Sequence, residues 1–226
     1  MPQAILSFWT DIPRAHEADF NAWYNGEHLP ERTALPGFLT GARYAATRGG
    51  PKYLAIYRAA SPDTFASRTY LERLDAPTPW TSRIMRRVVN AERQVYRVIA
   101  GAGAGHGAAL FALRMAMPDD GRALADWLTG NRIPRLIKTP GIARIELWQT
   151  DTAASDVDTA ERRLRGDAPS PSRWCLVVEG NESGALARAV ALHLPAAALN
   201  ARGAGAMRRG HYRLLRLLTH NEARPG

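Results

Sequence analysis

The sequence contains an internal repeat, which constrains the fold more than any other feature. Five residues recur at a constant offset of 104 positions without a gap: Trp23 and Trp127, Gly26 and Gly130, Pro30 and Pro134, Pro36 and Pro140, Gly37 and Gly141. The offset is close to the size of one small domain. We therefore expect two homologous units, assigned to residues 1–100 and 108–217.

Both copies show short apolar runs bounded by turn residues, which predict β-strands. The predicted strands are Ala4 to Trp9, Phe38 to Ala45, Tyr53 to Tyr57 and Gln94 to Ile99 in the first copy, and Ala108 to Met115, Ile142 to Gln149, Trp174 to Val178 and His211 to Leu217 in the second.

Helical patterns separate these strands. The first helix of each copy is predicted to end near Trp23 or Trp127, before a Pro-Gly pair that breaks the chain. In the first copy, Ser61-Pro62 resembles a helix N-cap followed by proline and predicts a helix to about Leu74, and Thr78-Pro79 repeats this start signal before a helix from Trp80 to Val89. Each copy therefore has the order β-α-β-β-α-β.

A unit with this order has helices on one face of its sheet only, so its other apolar face must be covered. Packing the two copies sheet to sheet covers both faces, which predicts an α+β fold in which two ferredoxin-like units form an intrachain barrel. Ala100 to Gly107 is predicted to be a flexible linker, Asp151 to Ser172 an exposed loop, and the tail from Thr219 a frayed end.

The chain is strongly basic, with a formal charge of +9, yet its basic residues are spread along the sequence. All of them except Lys52 and Lys138 are arginine, which we interpret as composition bias rather than a nucleic-acid-binding surface. Cys175 is the only cysteine, so no intrachain disulfide can form. No apolar run reaches the roughly 18 residues that a transmembrane helix needs. We expect a cytoplasmic protein without a nucleic-acid or membrane partner.

The first copy of the repeat resembles a known family. Its segments WYNGEHLP, from Trp23 to Pro30, and PGF, from Pro36 to Phe38, are similar to the W-Y-x-x-E-H-x-P and P-G-F motifs of the EthD-like branch of the dimeric α/β-barrel superfamily. The resemblance implies a barrel of two ferredoxin-like units, here fused as a tandem repeat. It also implies a lyase, isomerase or monooxygenase class of activity. In the second copy Arg132 stands in place of His28, which indicates a single functional pocket.

His28 is the leading candidate for catalysis because an imidazole exchanges a proton near neutral pH. Phe20, Tyr24 and His28 are spaced four residues apart and form one stripe if the helix continues through Gly26, with His28 where the helix ends. Tyr24 and Glu31 are predicted to assist it. Alternatively, Gly26 belongs to a helix C-cap, or His28 is a helix-terminal residue bonded to a carbonyl.

Aromatic and basic residues of the first copy are candidates for substrate binding. They are Trp23, Arg43, Tyr57, Trp80 and Tyr96. The aromatic rings suit a pocket for a flat apolar ligand, and Arg43 suits a carboxylate or phenolate. The same aromatic residues also suit an ordinary core, and the sequence leaves both interpretations open.

The predicted function is cofactor-independent acid–base chemistry on a hydrophobic aromatic or carbonyl metabolite, of isomerase, dehydratase, decarboxylase or oxygenase type. The partner is a small-molecule substrate, and a homodimer is compatible with the sequence. The alternative is a barrel that binds haem or another ligand without catalysis, with His28 or His211 as the haem ligand. The histidines show no metal-binding spacing, so no metal site is predicted.

Overall fold

The computed structural model describes residues 4–117, 121–166 and 173–224. Its strands are β1 (Ala4–Asp11), β2 (Phe38–Gly49), β3 (Tyr53–Ala59), β4 (Val89–Gly103), β5 (Ala109–Met115), β6 (Ile142–Thr150), β7 (Trp174–Gly180) and β8 (Met207–Thr219). They form a closed barrel in the order β1-β3-β2-β8-β5-β7-β6-β4. The first four strands come from the first copy of the repeat and the last four from the second. The predicted α+β fold of two ferredoxin-like units is confirmed.

The two units share their sheet edges. Strand β2 pairs with β8, and β4 pairs with β6, in both cases antiparallel. An unpaired edge exposes a row of backbone donors and acceptors, so this pairing removes both edges of each four-stranded sheet. The units are therefore joined by backbone hydrogen bonds as well as by side-chain packing.

Side chains alternate between the barrel interior and the outer layer, as the two-residue period of a strand requires. On β1, Leu6 and Phe8 face the outer helices, whereas Ile5 and Trp9 face the interior. The interior cluster draws on both units, since Trp9 contacts Tyr212 with ring centroids 5.8 Å apart. This interior is the apolar surface that each unit hides with the other.

Buried ion pairs join the units near the two ends of the barrel. On β3, Arg58 donates to both carboxylate oxygens of Glu146 on β6, at 2.9 and 2.8 Å. On β5, Arg114 donates to Glu92 on β4 at 2.6 Å and lies over the ring of Trp9. Each pair crosses between units, so breaking either one leaves a buried carboxylate at the interface with a more distant arginine among the described residues: Arg144 at 4.0 Å for Glu146, and Arg208 at 3.6 Å for Glu92.

Helices cover the outside of the barrel. The first unit has α1 (Glu17–Trp23), a π-helical turn (Tyr24–His28), α2 (Leu29–Thr33), α3 (Arg68–Asp75) and α4 (Pro79–Met85), with 3-10 turns at Arg14–His16 and Pro62–Ala66. The second has α5 (Arg122–Trp127), a π-helical turn (Leu128–Arg132), α6 (Ile133–Leu136), α7 (Thr152–Ser155), α8 (Ala160–Arg165), α9 (Ser183–His193), α10 (Ala196–Asn200) and α11 (His220–Ala223). Within the described ranges, none of these helices is long and apolar enough to cross a membrane.

The π-helical turn explains why the first helix does not stop near Trp23. Pro30 lacks a backbone N–H, and its ring would clash with the carbonyl four residues earlier in an ideal α-helix. The backbone widens by one residue instead, and the N–H of Leu29 bonds to the carbonyl of Tyr24. The helix continues to Thr33, so the predicted end at His28 and the C-cap at Gly26 are both wrong.

The two later helix predictions for the first unit need correction. The region from Ser61 to Leu74 contains a 3-10 turn and then α3, whose N-cap is Ser67 rather than Ser61. Thr78 is an N-cap as predicted, since its hydroxyl accepts from the N–H of Thr81 at 2.9 Å. That helix ends at Met85, because Val89 already begins β4.

Three segments predicted to lack regular structure are ordered. The first half of the presumed linker, residues 100–103, is the end of β4, where Gly103 adopts φ 82° and a Cβ would lie 2.1 Å from the carbonyl oxygen of Ala143. These glycines therefore permit close strand approach rather than flexibility. The presumed loop from Asp151 contains α7 and α8; its residues 167–172 lie outside the described ranges. The tail forms α11, which Thr219 starts with a capping box.

Candidate functional site

The candidate site is a small cavity between the helices and the sheet of the first unit. It has about 30 Å³ of space for the centres of water-sized spheres, enough for one or two water molecules. The lining is mostly apolar and aromatic with a few polar groups. Its residues are Leu6, Phe8, Tyr24, His28, Arg32, Phe38, Tyr57, Tyr70, Leu74, Met85, Arg93, Glu161 and Arg165.

His28 enters this cavity from the π-helical turn and is only 6% exposed. Its ring packs against Trp23 and Tyr24, with centroids 4.4 and 5.1 Å away, so its orientation is fixed by packing. Burial, followed by the positive charge of Arg32, lowers the pKa of His28 well below its usual range. The imidazole is therefore neutral at neutral pH and can accept a proton.

The side chains of Tyr24 and Tyr57 are also buried against this cavity. Burial raises the pKa of Tyr24 to about 12 and raises the pKa of Tyr57 well above 10. Both phenols therefore stay protonated at neutral pH. Among the described residues, Nδ1 of His28 and the hydroxyls of Tyr24 and Tyr57 have no partner in hydrogen-bonding geometry, although the two phenols are near enough to affect each other's pKa. Three unpartnered polar atoms at one hollow are costly unless a ligand or water completes them.

A buried ion pair lies beside these three side chains. Nη2 of Arg32, from α2, donates to Oε1 of Glu161, from α8 in the second unit. Both side chains are 3% exposed. The Nε and Nη1 atoms of Arg32 have no hydrogen-bond partner in the described part of the chain. Arg93 and Arg165 also line the cavity, which therefore holds three cationic groups against one carboxylate.

The structure brings three of the predicted residues, His28, Tyr24 and Tyr57, to one cavity. Glu31 lies one residue from Arg32 on α2 and forms an ion pair with Arg73, so it borders the site without lining it. Trp23 packs on His28 but directs its indole N–H to Thr81 and Glu27 on the other side of the helix.

The remaining predicted binding residues lie elsewhere. Arg43 is buried over the ring of Tyr24 at 4.3 Å and donates to the side chains of Asn21 and Asn25, which makes it a support of the helix. Trp80 donates to Asp19 on the outer surface of the helical layer. Tyr96 lies inside the barrel against Trp148, on the opposite face of the sheet. The structure therefore does not place Arg43, Trp80 or Tyr96 in the cavity.

Solved structures of other proteins share this architecture. An anthrone oxidase-like protein superimposes with a TM-score of 0.66 at 12% identity, over 98% of this chain and 94% of that one. A candidate monooxygenase from Fusobacterium nucleatum gives 0.64 at 10% identity, over 96% and 94%. A mutant chlorite dismutase from Candidatus Nitrospira defluvii gives 0.55 at 9% identity, over 93% and 91%. The chain has the dimeric α/β-barrel fold. No model of a protein family matches the sequence, and no curated protein matches it either.

The second unit of the barrel does not repeat the cavity arrangement found around His28 in the first. The π-helical turn is conserved in shape, but Arg132 at the position of His28 is half-buried and lies over the ring of Trp127 at 4.5 Å. An arginine that is always charged cannot exchange protons as an imidazole does. This half therefore lacks the proton-accepting group of the first.

A larger cavity, of about 970 Å³, opens at one mouth of the barrel beside the β2–β3 turn. Its lining includes basic residues from separate parts of the sequence: Arg48, Lys52, Arg114 and Arg208. These cations have partners: Lys52 pairs with Glu17, and both Arg114 and Arg208 pair with Glu92. We favour the smaller cavity because several of its buried polar atoms, including Nδ1 of His28 and the Tyr24 and Tyr57 hydroxyls, lack hydrogen-bond partners among the described residues.

As it stands, the hollow at His28 does not fit a haem group. It has room for water only, far below the several hundred Å³ of a typical cofactor site, and any larger ligand requires its lining to open. His211 is engaged by Arg48 at 3.0 Å and packs on Phe111. Within residues 4–117, 121–166 and 173–224, no three metal-ligating side chains lie together.

Sequence reasoning missed Arg32, Arg93, Glu161 and Arg165. Arg32 follows His28 by one helical turn, so extending the stripe from Tyr24 through His28 would have found it. Glu161 is 129 residues away in the insertion, and no local pattern connects it to this site.

Proposed function

We propose that this protein is an enzyme that removes a proton from a hydrophobic aromatic or carbonyl compound, using His28 as the general base. The observation that carries the proposal is the unpartnered Nδ1 of a buried, neutral imidazole at a cavity that also receives two unpartnered phenol hydroxyls. A base, two donors and an apolar lining are the parts that proton abstraction from a carbon acid requires. The EthD-like motif from Trp23 to Pro30 supports the same proposal.

The roles follow from the protonation states. Neutral His28 accepts a proton from a C–H next to a carbonyl, or from a phenol O–H, and becomes an imidazolium. The electron pair left on the substrate moves onto its oxygen. Tyr24 and Tyr57 remain protonated because burial raises the pKa of each, so their hydroxyls can donate to that oxyanion. The new anion also offsets the charge that burial and Arg32 disfavour on His28.

Among the possible fates of the anion, we favour oxidation by O₂. The anthrone oxidase-like protein and the candidate monooxygenase share the fold, and their names motivate this choice. For anthrone, loss of two hydrogens and gain of one oxygen atom gives anthraquinone, and the second atom of O₂ leaves as water. Isomerisation, dehydration and decarboxylation begin with related proton transfers and are the alternatives.

Hydrogen–deuterium exchange tests the proton-transfer step whatever the fate of the anion. Purified protein is incubated in D₂O with aromatic carbon acids, including anthrone and its carboxylated derivatives, and exchange at the acidic carbon is followed by NMR. We expect at least one compound to exchange faster with wild type than with His28→Gln, by roughly 10²–10⁴-fold for a general base. Tyr24→Phe should slow exchange less. Equal rates for wild type and His28→Gln on every compound would refute the assignment, and O₂ uptake distinguishes oxidation from isomerisation.

A further inference from the structure

The α8 helix of the second unit covers the cavity of the first. It belongs to the insertion that only the second copy of the repeat contains. Leu164 packs against the apolar cluster beneath the first unit's helices, while Glu161 and Arg165 line the cavity directly. The main-chain N–H of Ala160 also bonds to Asp75 at the end of α3. The second unit thus contributes residues to the first unit's site.

Arg32 has hydrogen-bond donors that remain available to an anion at this cavity. A guanidinium carries five N–H donors in a planar fork that matches a carboxylate. Arg32 uses Nη2 for Glu161, while Nε and Nη1 find no hydrogen-bond partner within the described ranges. The nearest carboxylate on its own helix, Glu31, lies 3.9 Å from Nε, beyond hydrogen-bonding distance. Arg32 lines the same hollow as His28, so a buried cation with unused donors borders the cavity.

Glu161 occupies the place that a ligand's negative charge would take. The present hollow holds only water, so a substrate must displace part of its lining, and displacement of α8 withdraws this carboxylate. Withdrawal alone would leave buried Arg32 with Glu31, 3.9 Å from its Nε, as its nearest carboxylate, which opposes opening. A ligand that brings its own anion removes this penalty, whereas a neutral ligand does not.

Resting on the proposed function, we infer that the substrate carries a carboxylate that binds Arg32 in place of Glu161. The lining by Phe8, Phe38 and Tyr70 calls for an aromatic frame behind that group. The substrate class is therefore an aromatic carboxylic acid, or a compound with an equivalent anion on an aromatic ring. Glu161 is a specificity-determining residue: it keeps Arg32 paired when the site is closed and yields only to another anion.

Calorimetric titration of the full chain with benzoate and its uncharged counterpart benzamide tests this assignment. Wild type should bind benzoate more tightly than benzamide by about tenfold, as expected for a charge-assisted contact. Glu161→Gln weakens the internal competitor without changing its shape, so this variant should bind benzoate about tenfold more tightly than wild type. The matched control is Asp158→Asn, which removes one negative charge from the same insertion at a side chain that is 74% exposed. It should leave benzoate affinity unchanged.

The variant Arg32→Met alone would strand Glu161 and risks misfolding. The double variant Arg32→Met/Glu161→Met removes both charges together and so avoids a stranded ion. It should fold and bind benzoate no better than benzamide. The inference is overturned if Glu161→Gln binds benzoate no more tightly than wild type, if wild type does not prefer benzoate, or if the double variant keeps the preference.

These outcomes are separate from the test of the proposed function. Benzoate binding that depends on Glu161, without exchange that depends on His28, would leave the anion site standing and remove the acid–base role. Exchange that depends on His28, together with benzoate affinity that does not change in Glu161→Gln, would support the acid–base role and remove the anion site.

Discussion

The burial of His28 predicts an acid-sensitive contribution to stability. The pKa of this imidazole in the folded protein is held well below the usual value of 6.5, first by burial and then by Arg32. Below pH 6.5, His28 is therefore protonated in the unfolded chain but stays neutral in the folded chain. The free energy of unfolding must fall as the pH falls through this window, until the pH reaches the folded-state pKa of His28.

The size of this effect follows from linkage. One proton bound only by the unfolded state removes up to about 1.4 kcal/mol per pH unit. Acidification from pH 6.5 to pH 5.5 lies at the start of the window, where the unfolded imidazole is only partly protonated at first. It should therefore remove about 1 kcal/mol. His193 and His211, whose pKa values burial also lowers, contribute in the same direction.

Urea denaturation at pH 7.5, 6.5 and 5.5 isolates the part that belongs to His28. His28→Gln keeps a polar side chain of similar size but cannot be protonated, and it leaves the other histidines untouched. Wild type should lose about 1 kcal/mol more than this variant between pH 6.5 and pH 5.5. Parallel profiles for the two proteins would show that His28 titrates normally in the folded state, and the argument for a buried neutral base would fail.

Three further predictions concern the barrel. Arg58→Met should lower the free energy of unfolding in urea by about 3 kcal/mol, the lower end for a broken buried pair, because Glu146 keeps only Arg144 at 4.0 Å as a cationic partner in the described part of the chain; a loss below about 1 kcal/mol would contradict a structural role for this pair. Gly41→Ala should lower the free energy of unfolding by about 1–3 kcal/mol, since a Cβ there would lie 2.2 Å from the hydroxyl oxygen of Thr33 on α2. Gly26→Ala should raise it by about 0.5–1 kcal/mol, because a Cβ there has nothing within 4 Å. Urea denaturation compares the two variants, and equal effects would be inconsistent with the packing. Cys175 is buried, which raises the pKa of its thiol to about 12, so iodoacetamide should modify it only in denaturant; rapid labelling of the native protein, read by mass spectrometry, would oppose this placement.

The fold could be predicted because the information for it is repeated in the sequence. Five matching positions at one offset define two units, and a unit with a bare apolar sheet face has few ways to hide it. The helical stripe from Tyr24 to His28 was equally readable, since it depends only on local spacing. The π-helical turn preserves this stripe, as the ring contacts between these side chains show.

The composition of the site could be predicted only in part. Tyr96 was assigned to it although strand alternation places it inside the barrel, on the face opposite Arg93 and its neighbour Val95. Glu161 could not be found from sequence, because its place depends on how a short helix of one unit packs on the other. The glycines near Gly103 predict a flexible linker from sequence, but in the structure they allow β4 and β6 to approach closely.

The sharing of strand edges between β2 and β8, and between β4 and β6, has a consequence for how such a protein can evolve. When a barrel is assembled from two identical chains, every mutation appears twice, so a gain on one side is bound to any damage on the other. Fusion into one polypeptide breaks that obligation while the backbone ladder keeps the halves inseparable. The two halves can then differ: the second carries Arg132 where the first carries His28, and its insertion places α8 against the first half.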